Sequence, residues 1–141
     1  MVFGALHRQL LVLLLAGGVT AGCSSKDQPA AVDPNLVPTD YRKEIVELMP
    51  TLVEDPTNIR EAGVTDPFLG PIPGGGTRYM VCVRFNPRNY NKDYVGAIER
   101  VGFFYAGKLN QFVKAEAGEC RSAAYKPFPE LEKICYGKTC N

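Results

Sequence analysis

The sequence predicts an α+β fold, with an N-terminal helix packed on a three- to four-stranded antiparallel sheet and a short C-terminal helix. Three observations carry that expectation. Apolar residues recur at helical spacing over residues 41–52, period-two alternation follows in residues 78–85 and again beyond residue 100, and one of the cysteines, Cys82, falls in the clearest strand, from which it could be tied to the tail.

The helix is expected to start near Thr39 or Asp40, either of which can accept from the first free amides. Tyr41, Ile45, Leu48, Met49 and Leu52 then share one stripe. Pro50 should stop or kink it, because a helix-interior proline costs about 3 kcal/mol. Asp55-Pro56 marks the turn that follows, and residues 58–64 read as a short strand of mixed pattern. Pro67, Pro71 and Pro73 lead into Gly74-Gly75-Gly76, which reads as a loop. It is not a phosphate cradle, since Thr77-Arg78 opens a strand rather than the lysine-bearing helix such a loop needs.

Strand character is strongest from Arg78 to Phe85. Tyr79, Val81, Val83 and Phe85 form the expected core face, with Met80, Cys82 and Arg84 on the other. Strands at 100–105 and 109–115 should meet through Gly107-Lys108 as a type II′ hairpin, which would set Phe103 opposite Phe112. After Cys120 the chain is irregular until Pro129, which suits the first turn of a helix carrying Glu130 and Glu132. Leu131, Ile134 and Cys135 would line one side of it, and Gly137 would end it.

Ahead of this domain, residues 1–22 have the three parts of a secretory signal. Arg8 is the only fixed charge, Leu10 to Leu15 are apolar, and Ala16-Gly17-Gly18 begin a run of small residues. The apolar stretch falls far short of the roughly 20 residues a helix needs to cross a bilayer. Thr20-Ala21-Gly22-Cys23 closes the segment, and here it resembles the export signal of a bacterial lipoprotein, with Thr20 where such signals usually carry leucine. That resemblance implies diacylglycerol on Cys23, and acyl chains at about 0.8 kcal/mol per buried methylene make a lasting anchor. Ser24, which is not the aspartate of inner-membrane retention, points to the outer membrane. Residues 24–38 are rich in Ser, Ala, Asp and Pro and read as a tether of about 50 Å when extended. Residues 39–141 then form a single small domain.

With Cys23 acylated, Cys82, Cys120, Cys135 and Cys140 remain, and an even number of thiols in an exported chain reads as disulfides. The preferred pairing is Cys82 with Cys120, tying a central strand to the tail, and Cys135 with Cys140 across a short loop. A four-thiolate zinc site is the alternative, but the chain lacks the close cysteine pairs such sites use.

The segments Arg78 to Asn86, Gly107 to Val113 and Tyr125-Lys126-Pro127-Phe128-Pro129-Glu130-Leu131 resemble small lipoproteins of alphaproteobacteria without an assigned activity. The resemblance implies an envelope address and no mechanism.

Composition narrows the function classes. The chain carries 16 basic and 15 acidic side chains. Loss of Arg8 with the signal balances them, which removes any footprint for nucleic acid. Its only histidine, His7, leaves the same way, so the mature chain has no imidazole base and no histidine ligand for a metal. No cofactor is expected. Glu116 with Glu119, or Glu130 with Glu132, could serve a carboxylate hydrolase acting on a glycan, though both pairs read more simply as solvated charge. A non-enzymatic binding role is preferred, with the membrane reached through the lipid and an envelope protein or polymer as partner. Arg84, Arg88 and Tyr90, within a polar stretch of cations, amides and tyrosines, are the candidate binding surface, expected to be exposed together.

Overall fold

A computed structural model describes residues 31–135. Residues 1–22, expected to be an export signal, lie outside the described residues, as do Cys23 and Cys140. The chain runs α1 (Tyr41–Leu52), β1 (Asp55–Val64), β2 (Phe68–Pro71), β3 (Thr77–Arg88), β4 (Ile98–Tyr105), β5 (Lys108–Lys114), β6 (Lys126–Pro127) and α2 (Pro129–Glu132). The fold is mixed α+β, and its antiparallel sheet has six strands rather than three or four, in the order β5-β4-β3-β1-β6 with β2 also paired to β3.

Helix α1 buries Ile45 and Met49 against the sheet, with Tyr41, Leu48 and Leu52 packed beside them. Neither Thr39 nor Asp40 caps it by a side chain; the Asp40 carbonyl accepts from the Glu44 N–H at 3.0 Å. Pro50 does not end the helix, which continues to Leu52. Pro50 stands exposed in the last turn, so the one backbone bond it forfeits leaves a carbonyl within reach of water. The segment read as a tether is held at its C-terminal end. Pro38 is fully buried, and the Pro34 carbonyl accepts from the Ala106 N–H at 3.0 Å.

Strand β1 is longer than its pattern suggested because it is irregular. Its pairing with β3 shifts between Asp55 and Arg60 and again between Arg60 and Gly63, and Asn58 and Glu61 adopt positive φ. Each bulge resets which side chains face inward and so erases simple alternation. The proline-rich segment contains an edge strand, not only a loop: β2 pairs with β3 from Phe68 opposite Met80 to Pro71 opposite Thr77. Its one proline, Pro71, is tolerated because an edge strand need not donate on both sides.

Strand β3 organises the molecule. Val81, Cys82 and Val83 are buried in succession, so both faces of the sheet are covered there. On one face Val81, Val83 and Phe85 meet Ile45, Met49, Phe104, Phe128 and Leu131 beneath the helices. On the other, Met80, Cys82 and Val101 meet Cys120 in a smaller cluster.

The β4–β5 hairpin turns at Ala106-Gly107, one residue earlier than expected, with Tyr105 opposite Lys108. Both turn residues have positive φ (51° and 77°), the signature of a type I′ turn rather than II′. A register shift after Phe104 then sets Phe112 opposite Gly102 and Phe103 opposite Gln111, so the expected Phe103–Phe112 pair does not form. The two phenylalanines serve opposite faces, Phe112 the helix side and Phe103 the smaller cluster. At the C-terminus α2 stops at Glu132, burying Leu131 and followed by buried Ile134, while Cys135 is exposed and Gly137 lies outside the described residues.

The turn-proximal end of β3 is closed by a buried carboxylate. Asp55 accepts from the backbone N–H (3.0 Å) and hydroxyl (2.6 Å) of Thr57, and pairs with Arg88 (2.8 Å) and Lys92 (3.1 Å). Burial alone would push its carboxyl up, but the Thr57 bonds and the two cations outweigh it and hold the group at about 2. Because the folded value lies below the ordinary carboxylate range, this stabilisation is present above about pH 4 and is lost as pH falls toward 2.

Two predictions follow from these local geometries. Ala106→Asn, which places Asn-Gly in the type I′ turn, should raise stability by roughly 0.5 to 1 kcal/mol in urea unfolding, by removing the left-handed strain on alanine. Asp55→Asn should cost about 2 to 3 kcal/mol at pH 7 and flatten the stability curve between pH 4 and 2; an unaltered acid limb would exclude this carboxylate as its source.

Candidate functional site

Of the three residues expected to form an exposed cluster, Arg84 and Tyr90 are exposed and Arg88 is withdrawn. The Arg88 guanidinium is committed to Asp55 and to the Thr57 hydroxyl at 2.9 Å, with its side chain 17% exposed. Strand β3 extends to Arg88, and Tyr94 bridges back to it, so residues 89–93 form a closed turn within the connection from β3 to β4. Asn89 and Asp93 bond reciprocally across that turn: the Asn89 Oδ1 accepts from the Asp93 N–H at 2.9 Å, while the Asn89 N–H donates to the Asp93 carbonyl at 2.9 Å. Arg60 lies over the Tyr94 ring at 4.3 Å. Arg84 lies across the Tyr125 ring at 5.0 Å, and the Tyr125 hydroxyl donates to Glu99 at 2.8 Å. Partial burial and the Glu99 carboxylate push that phenol above its ordinary value, so it stays protonated.

The acidic pairs are likewise placed. Arg42 forks onto Glu130 at 2.7 and 3.1 Å and holds its carboxyl below the usual range. Glu132 accepts from the Ala62 N–H at 2.9 Å, fixing α2 to β1. These two therefore join elements of the fold. Glu119 accepts from the Glu116 N–H at 2.9 Å, and both line a single recess.

That recess belongs to the face of the sheet the helices leave uncovered. Residues 115–125 have no regular secondary structure and cross this outer face as a strap, fixed to β3 by the Cys82–Cys120 disulfide, the pairing expected from the sequence. With those two thiols joined, a four-cysteine zinc site cannot form. Cys135 is itself disulfide-bonded, whereas its expected partner Cys140 lies outside the described residues.

Beside the strap, toward β4 and β5, lies a trench of about 610 Å³. Phe103 and Tyr105 line its floor, and Arg78, Gln111, Glu116 and Glu119 stand around it. Arg78 is poised, with its guanidinium 5.4 Å from the Tyr105 ring and one nitrogen donating to the Thr77 carbonyl at 2.8 Å. A second, smaller recess of about 400 Å³ lies by Cys82 and Ser122, and Glu119 borders both. The sequence pattern carries a signal for this face. Val101, Phe103 and Tyr105 alternate with the core residues of β4, and apolar side chains on both faces of one strand announce two covered surfaces.

Among the described residues no group of three or more acidic, histidine or cysteine side chains is arranged to hold a metal, and no helix is long and apolar enough to cross a membrane.

Replacing both Cys82 and Cys120 by alanine should lower stability by about 4 kcal/mol, the closure entropy of a 38-residue separation. Hydrogen exchange should then rise first in residues 115–124. Uniform loosening of the whole sheet would show instead that the crosslink braces the main core.

Neither a protein-family model, a curated protein nor a solved structure matches this chain.

Proposed function

We propose that the chain is a lipid-anchored protein of the cell envelope, facing the periplasm, with a non-enzymatic binding or accessory role exercised through the trench on its outer sheet face. The observation that carries the reading is the strap. One disulfide fixes an irregular segment beside an aromatic floor, so polar groups of the rim are positioned before any ligand arrives. Preorganisation of this kind lowers the ordering cost of binding. A recess of 300 to 1,000 Å³ with an apolar floor and a few convergent polar groups is the usual form of a binding site. The membrane is reached through the lipid on Cys23, and the absence of an inner-membrane retention aspartate at Ser24 favours the outer membrane. The partner is an envelope protein or polymer, and no cofactor is involved.

A second reading, a carboxylate hydrolase acting on a glycan, has one observation in its favour: Glu116 and Glu119 line the same trench. The carboxylate of Glu119 is already engaged by the Glu116 amide, which suits a structural role for the pair better than acid–base work.

Intact mass of the protein extracted from membranes, before and after reduction and alkylation, tests the anchor. The expected species begins at Cys23, carries acyl chains, and exposes four thiols only after reduction. A soluble, unacylated chain would overturn the lipoprotein reading. For the hydrolase, products shorter than an added oligosaccharide would favour it over binding alone.

A further inference from the structure

The chemistry of the trench identifies the kind of molecule it suits. Its floor presents aromatic surface, with Tyr105 48% exposed and Phe103 partly buried beside it. Aromatic faces hold flat apolar surfaces, such as the C–H faces of a ring, at little conformational cost. Around that floor stand planar amides, Asn110 and Gln111, which can donate and accept at once. The charged groups cancel: Arg78 and Lys114 are matched by Glu116 and Glu119. A polyanion would meet two carboxylates, and a polycation two bases, so the site discriminates against both.

Two of the polar groups are held in advance. Glu119 is fixed by the Glu116 N–H at 2.9 Å, and Arg78 by the Thr77 carbonyl and the Tyr105 ring. A fixed acceptor and a fixed donor on opposite charges, over an aromatic floor and next to amides, suit a neutral ligand that carries hydroxyls along its edges and a hydrophobic face. By contrast, the polar stretch that begins in β3 spends Arg88 on Asp55 and leaves Tyr90 exposed away from the trench lining.

We propose that the trench binds a short stretch of neutral saccharide, stacked on Phe103 and Tyr105 and hydrogen-bonded by Arg78, Gln111 and Glu119. The proposal rests on the trench being the working surface of the protein, and it adds the class of ligand.

Calorimetric titration of the full-length chain in detergent micelles tests it, with chitotetraose and maltotetraose as neutral probes, dextran sulfate as a polyanion and a charged tetrapeptide as a peptide probe. At least one neutral oligosaccharide should bind saturably, and Tyr105→Ala should weaken it about tenfold or more. Gln111→Ala, an exposed position, serves as a second variant should Tyr105→Ala fail to fold. Tyr105→Phe should retain binding, because the ring face is kept, and Tyr90→Ala should leave affinity unchanged. Absence of binding by both neutral probes would overturn the saccharide assignment. If the peptide or the polyanion bound instead and lost affinity on Tyr105→Ala, the assignment would fall while the trench remained the binding surface. Loss of binding in Tyr90→Ala but not in Tyr105→Ala would overturn both.

Discussion

The middle of β3 is the constraint on which the rest of the structure depends. Val81, Cys82 and Val83 are fully buried in succession, so alternate side chains find partners on opposite faces of one sheet. A strand in that position needs cover on both sides. The helices supply one cover, through Ile45, Met49 and Leu131, and the other comes from a strap with no hydrogen-bonded ladder of its own. Cys82 is therefore at once a core residue and the bolt that holds the second layer in place.

Around this centre, charge pairs close the places where backbone or cores would otherwise be open. Arg42 on Glu130 joins the two helices, and its guanidinium also covers the Phe128 ring at 4.6 Å. Glu44 reaches the free edge of β5, accepting from the Leu109 N–H at 2.6 Å while pairing with Lys108 at 3.0 Å. An edge amide satisfied by a carboxylate is no longer a template for another strand. Asp55 does the corresponding work where β1 starts, since its carboxylate gathers Thr57, Arg88 and Lys92 at a turn. Exposed members of such pairs add little each, and the buried oxygen of Asp55 carries more because it is satisfied from several directions.

How far the sequence disclosed this arrangement depends on how regular each piece is. The α1 stripe and the core face of β3 were legible, because uninterrupted periods of 3.6 and 2 write their burial directly into residue order. The Cys82–Cys120 link was legible as well, as the crosslink from a central strand to the tail. Strand β1 was obscured by two bulges that break alternation, and β2 by prolines that ordinarily signal a loop. The β4–β5 register turned on a single residue. Alanine at φ 51° is an uncommon choice for a type I′ turn, and glycine alone at the next position suggested the other turn type. The trench was hidden for a different reason: it is assembled from β3, β4, β5 and the strap, and no local pattern records that a disulfide will bring them together. The polar stretch at 84–94 drew attention by composition, whereas composition could not show that Arg88 answers a buried aspartate thirty-odd residues upstream.

The strap also shows why one crosslink governs the site. Ordering each of its residues costs about 1 to 2 kcal/mol in backbone entropy. Against that cost it offers the small cluster around Cys120, with Ala115, Ala123 and Tyr125 packed partly beside it, and a few turn bonds such as Ala123 N–H to the Cys120 carbonyl at 3.0 Å. Apolar burial on this scale does not offset the ordering of the whole segment by itself. The disulfide adds about 4 kcal/mol in the same direction by restricting the unfolded chain. Because Glu116 and Glu119 ride on the strap, the crosslink helps to hold their side of the trench rim. Disulfides persist in oxidising compartments, so the proposed envelope address and the integrity of the proposed binding face become one physical requirement.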